Sequence, residues 1–75
     1  MCGIVGYVGN GSAKEIIIDG LKKLEYRGYD SSGIAFGMGG DLKIRKCVGR
    51  ISNLETLLSK EDLDSHIGIG HTRWA

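Results

Sequence analysis

The sequence predicts an α+β fold, and three observations carry that expectation. Apolar residues alternate with period two in some stretches and recur at helical spacing in others, in the order strand, helix, two strands, helix, strand. The Ser-x-x-Glu spacing of a capping box occurs twice ahead of an apolar helical stripe, at Ser12 with Glu15 and at Ser52 with Glu55. Thirteen glycines and no proline punctuate the chain. The order lacks the regular alternation that builds a parallel βαβ sheet.

Each element follows from its residues. Ile4, Val5, Tyr7 and Val8, spaced by Gly3, Gly6 and Gly9, predict a short first strand, and Asn10-Gly11 a turn. With Ser12 as N-cap, Ala13, Ile16, Ile17, Gly20, Leu21 and Leu24 then share one helical face, opposite Lys14, Asp19, Lys22 and Lys23. Gly28 suits the helix stop. From Ser31 the period changes: Gly33-Ile34-Ala35-Phe36 and Leu42-Lys43-Ile44-Arg45 read as a hairpin joined through Gly37-Met38-Gly39-Gly40-Asp41. Ser52 opens a second helix with Leu54, Leu57 and Leu58 inward, and Glu61-Asp62-Leu63-Asp64 is a polar connection. In the last strand Ile67, Ile69 and His71 alternate with Gly68, Gly70 and Thr72.

At 75 residues, 41% hydrophobic and a formal net charge of +1, residues 1–75 form at most one globular unit. So balanced a charge argues against nucleic acid or an anionic membrane as a required partner, and the short basic stretches read as solvated faces. No apolar run approaches the roughly 20 residues that span a bilayer, and no signal sequence opens the chain, so the cytoplasm is the expected location. The spacing of Cys2 and Cys47 suggests neither a disulfide framework nor a metal or redox motif. Since the last strand runs straight into Trp74, the chain reads as part of a longer protein. Its first and last strands are then expected to present unpaired edges and apolar faces.

Cys2 is the leading candidate for chemistry. Removal of Met1 would put a thiol and a free α-amino group on one residue, a nucleophile with its own base. Ordinary burial of a small cysteine is the competing reading. Other motifs fail: Ser12 stands where a phosphate-binding loop needs lysine, and Gly3, Gly6 and Gly9 are wrongly spaced for a dinucleotide fingerprint. Cys47, His66 and His71 do not make a metal site, because on an extended segment the two histidines face opposite ways. A Cys2–His71 thiol–imidazole pair is chemically conceivable, but spacing does not bring the two together.

Three segments carry a resemblance: Met1-Cys2-Gly3-Ile4-Val5-Gly6, Leu24-Glu25-Tyr26-Arg27-Gly28-Tyr29-Asp30-Ser31-Ser32-Gly33 and Gly68-Ile69-Gly70-His71-Thr72-Arg73-Trp74-Ala75. With them the chain closely resembles, along its whole length, the glutaminase domain of class II glutamine amidotransferases, in the branch that makes glucosamine 6-phosphate. Amidophosphoribosyltransferase and asparagine synthetase share the Cys-Gly-Ile start and an Arg-Gly element, and fit the other two segments less well. The resemblance implies an N-terminal nucleophile hydrolase of αββα sandwich type, with residues 1–75 as the N-terminal portion of the domain.

It also implies roles. Cys2 would be the catalytic nucleophile, hydrolysing glutamine to glutamate and ammonia, with its own amine as base. Arg73 matches the arginine that holds the glutamine α-carboxylate, and Trp74 the tryptophan at the entrance of an ammonia channel. Arg27, Tyr29 and Asp30 match a segment near the nucleophile, with a positioning role. In the full-length family enzyme a separate synthase domain passes the ammonia to fructose 6-phosphate. A homodimer is expected at full length, with no cofactor and no metal. The family's oxyanion-hole Asn-Gly and its amino-group-binding aspartate have no counterpart in residues 1–75, so these residues alone are expected to be inactive. The alternative is a small α+β binding or structural module without catalysis, for which Cys2 would be replaceable.

Overall fold

The computed structural model describes residues 2–60 and 65–74, with Arg27 described by its backbone alone. The described residues fold as strand β1 (Gly3–Val8), helix α1 (Ala13–Leu24), a single 3-10 turn (Glu25–Arg27), strands β2 (Ser31–Met38) and β3 (Asp41–Val48), helix α2 (Ile51–Ser59) and strand β4 (Ile67–Arg73). The expected α+β class and element order are observed, and the hairpin strands are longer than their apolar centres implied. The polar connection expected at Glu61-Asp62-Leu63-Asp64 lies outside the described residues.

The strands form one antiparallel sheet in the order β1-β4-β2-β3. This corrects the expectation of an unpaired last strand, because β4 is interior, hydrogen-bonded to β1 on one side and β2 on the other. The β2–β3 hairpin turns through Gly39 and Gly40, at φ 56° and 88°, the positive values a tight two-residue hairpin turn requires.

Both helices pack on one face of the sheet. The core joins Ala13, Ile17, Ile18 and Leu21 of α1 and Ile51, Leu54 and Leu58 of α2 to Ile34 and Phe36 of β2. On β4 the glycines, not the isoleucines, face the helices. A Cβ built on Gly70 would fall 2.5 Å from Ile17 Cγ2 and 3.1 Å from Leu21 Cδ1, so α1 sits closer to β4 than any side chain there would allow.

Three helix details differ from expectation, each for a local reason. Ser12 is the N-cap of α1 but makes no side-chain cap bond; the Ala13 N–H donates instead to the Ser65 carbonyl at 2.8 Å, tying the helix start to the residues before β4. Ile18 rather than Ile16 is buried, because α1 packs against α2 as well as the sheet. The second helix begins at Ile51, ahead of the Ser52 cap, since the Tyr29 hydroxyl accepts the Ile51 N–H at 2.6 Å. Its inward stripe is therefore Ile51, Leu54 and Leu58, and Leu57 turns outward. A Lys22–Glu55 ion pair at 2.9 Å spans the two helices at the surface.

The opposite face of the sheet carries no helix. Ile4 and Val8 of β1, Leu42 and Ile44 of β3, and Ile67 and Ile69 of β4 all lie there, at least 49% exposed. The expected apolar faces are thus observed although β4 has no free edge. Among the described residues, no helix is long and apolar enough to cross a membrane.

Candidate active site

The end of the sheet at which β1 starts and β4 finishes gathers the residues singled out by sequence. Cys2 immediately precedes Gly3, whose partner across the ladder is Thr72, and Arg73 follows Thr72. Cys2 and Arg73 therefore stand at the same end of two adjacent, hydrogen-bonded strands. Cys2 is exposed and its thiol free; Cys47 is free too, half-buried against the core.

Backbone bonds hold this end together. The Asp30 N–H donates to the Arg73 carbonyl at 2.8 Å, and the Gly49 N–H to the Asp30 carbonyl at 2.9 Å, so the segment before β2 brackets the ends of β4 and β3. Asp30 acts here through its main chain. Gly28 ends the 3-10 turn at φ 83°, with its N–H on the Glu25 carbonyl at 3.2 Å. Trp74 lies over it, 3.5 Å from where a Gly28 Cβ would stand. Trp74 also lines a cavity of about 380 Å³ with Glu25, Gly28, Tyr29, Gly49 and Arg50.

Tyr29 is a structural bridge. Its hydroxyl donates to Glu25 Oε2 at 2.5 Å while accepting the Ile51 N–H, linking the end of α1 to the start of α2. Burial, then the bond to the Glu25 carboxylate, raises its pKa above the ordinary phenol value, so it stays protonated at neutral pH. For Arg27, the backbone belongs to the 3-10 turn that leads into this bracket.

Sequence reasoning missed the neighbours of Arg73 on the helix-free face. A cavity of about 310 Å³ is lined by Ser31, Lys46, Val48, His71 and Arg73, with Ser32 and Cys47. Ser31, Val48 and Arg73 lie on one rung of the sheet, and Gly33, Lys46 and His71 on the next rung of the same face. Only the strand order brings them together, and no local pattern encodes it. The rejected phosphate loop stays rejected on geometry. The Gly9, Gly11 and Ala13 N–H groups are already bonded to the His66 carbonyl, the Tyr7 hydroxyl and the Ser65 carbonyl, leaving no cradle for an anion.

What this arrangement can do is bring a small thiol nucleophile beside a guanidinium suited to a carboxylate. No family model matches the chain. Individual relatives do: over all 75 residues it is 56% identical to a protein of Clostridium tetani, 57% to one of Shouchella clausii and 53% to one of Thermococcus kodakarensis. In each case the match takes in 100% of this chain and 12% of the relative, so the chain spans about an eighth of the length of the proteins it matches. All three are named as an enzyme of the aminotransferase class. Each is named glutamine–fructose-6-phosphate aminotransferase (isomerizing), and the chain is similar to the N-terminal part of those proteins. Nothing in the comparisons supports a non-catalytic module.

Proposed function

We propose that residues 1–75 are the N-terminal portion of a type 2 glutamine amidotransferase domain, and that the whole protein hydrolyses glutamine and uses the ammonia to convert fructose 6-phosphate to glucosamine 6-phosphate. The observation that carries this is the 52–57% identity, along every residue, to enzymes of that name. The adjacency of Cys2 and Arg73 at one sheet end gives it a chemical basis.

In this reading Met1 is removed and the α-amine of Cys2 takes the thiol proton as sulfur attacks the side-chain amide carbon of glutamine. The C–N bond of the tetrahedral intermediate then breaks, the amine returns the proton, and ammonia leaves behind a γ-glutamyl thioester. Water adds to the thioester carbonyl and releases glutamate and the thiol. Arg73 holds the α-carboxylate through the paired donors of its guanidinium. Trp74 stands at the entrance of the ammonia path, and the Arg27–Asp30 segment positions the end of β4. An αββα sandwich, in which a second sheet covers the open face, a homodimer and a cytoplasmic location complete the reading.

The test is covalent and genetic. A glutamine analogue bearing an electrophile in place of the amide should label Cys2 in the full-length protein. Cys2→Ala should abolish glutamine-dependent synthesis and spare synthesis from added ammonia. Glutamine hydrolysis by that variant at near the original rate would overturn the assignment.

A further inference from the structure

Lys46 and His71 approach one another across the strand that separates them. Gly33 of β2 pairs with Lys46 of β3 on one side and with His71 of β4 on the other. A Cβ built on Gly33 would lie 2.6 Å from His71 Nε2 and 3.3 Å from Lys46 Cγ, so the imidazole and the lysine stem lean together over bare backbone. The ring thereby turns toward β2 and away from Cys2, which precedes β1 on the other side of β4, and this removes it as the base of a Cys2–His71 pair. One rung nearer the Cys2 end, Arg73 shares the same face, paired with Ser31.

This end of the helix-free face thus carries an ammonium, a guanidinium and an imidazole, and among the described residues the strands bring it no carboxylate. Asp41, the one acidic residue of the four strands, alternates in step with Cys47, which packs against the core, and so belongs to the other face. The cavity that Lys46, His71 and Arg73 share has no acidic residue in its lining. Farther from Cys2 the same face is apolar, with Leu42 and Ile44 on β3 and Ile67 and Ile69 on β4. A layer that covers this face must therefore be apolar over the isoleucines and anionic over Gly33, because a covered ammonium without a counter-charge is strongly unfavourable.

We propose that the second sheet covering this face brings a carboxylate, from a segment after residue 75 of the same chain, into the space over Gly33 between Lys46 and His71. The proposal rests on the sandwich reading above and adds the charge that the covering sheet carries and the place where it lands. The carboxylate accepts from Lys46 Nζ and from the Nε2–H of His71. It is part of the fold and not of the substrate, whose carboxylate is assigned to Arg73. Its role is register: apolar contacts alone let two sheets slide past one another, whereas a charge seated over one rung fixes which strands meet.

The experiment uses the full-length protein. Zero-length carbodiimide coupling should join Lys46 through an amide to an Asp or Glu beyond residue 75 of the same chain, identified by peptide mass mapping. A bond to a residue within 1–75, a bond to a second copy, or no bond from Lys46 would overturn the proposal. Charge reversal gives opposite signs in the two cases. With a carboxylate over Gly33, Lys46→Glu sets two carboxylates together and should lower the temperature at which glutamine hydrolysis is lost by at least about 5 °C, and Lys46→Met should lower it by less. Without one, Lys46→Glu supplies an anion to His71 and Arg73, and an unchanged or raised temperature would overturn the proposal. Where Lys46→Glu does not fold, the coupling in the unmodified protein decides. Failure of the sandwich reading shows separately, as an Ile69→Lys variant of unchanged stability and a Lys46 acetylated as fast as Lys23, whose side chain is 78% exposed on α1.

Discussion

Arg73 reaches its place through main-chain bonds, since its carbonyl accepts the Asp30 N–H while its guanidinium stands exposed on the open face. The backbone fixes where the side chain starts, and in the proposed reading the side chain does recognition. Arg73→Lys keeps the charge and loses the planar fork. In the full-length enzyme we expect glutamine binding weaker by about 1.5–3 kcal/mol, read as a rise in KM for glutamine with ammonia-dependent synthesis unchanged. An unaltered KM would remove Arg73 from the carboxylate. At this scale a motif in the sequence singles out Cys2, Arg73 and Trp74, which the fold brings to one end of the sheet. The sequence was silent on Ser31, Lys46 and His71, whose meeting depends on register between strands far apart in the chain.

The elements show how a correct pattern can be realised by different partners. The capping-box spacings fall at the N-cap of α1 and one residue inside α2, yet neither helix is capped by the side chain of its own N-cap residue: Ser65 supplies a carbonyl to α1 and Tyr29 a hydroxyl to α2. Tertiary neighbours took over what Ser12 and Ser52 were expected to do, which also moved the start of α2 and its buried stripe. Tyr29→Phe should therefore cost about 0.5–1.5 kcal/mol of stability, measured by urea unfolding. The pH dependence has a definite sign. A hydroxyl whose folded pKa is raised contributes fully below the ordinary phenol value of about 10, and its contribution is lost as pH rises through the folded value. The unfolding midpoint should fall in strongly alkaline buffer, and that part of the fall should be absent from Tyr29→Phe. The same alkaline loss in both proteins would assign it to other groups.

For the molecule as a whole, the sheet has one face sealed by helices and one lined by isoleucine, leucine and valine. The outer strand β3 bears Lys43, Arg45 and Lys46, which discourage edge-to-edge pairing. The open face has no such protection around Ile67 and Ile69. If a second sheet covers it in the full-length protein, as proposed, Ile69→Lys should destabilise by at least about 2 kcal/mol, because a charge would be buried without a partner. A change within about 0.5 kcal/mol would mean that the face is solvated. The class and the order of elements were legible from periodicity. The one-sided covering was not, because alternating Ile and Gly in β4 says which residues share a face and not which face meets the helices.

The interior position of β4 has a consequence in time. The first strand of the chain has its neighbour in the last, so Gly3 waits for Thr72 before its ladder can close. On a ribosome, β2 and β3 can zip through their two-glycine turn as soon as they emerge, whereas β1 stays without its partner until β4 has been synthesised. Assembly of the Cys2–Arg73 end is then the closing event of this sheet. Cys2 is not brought beside the end of β4 until the framework around them has been built.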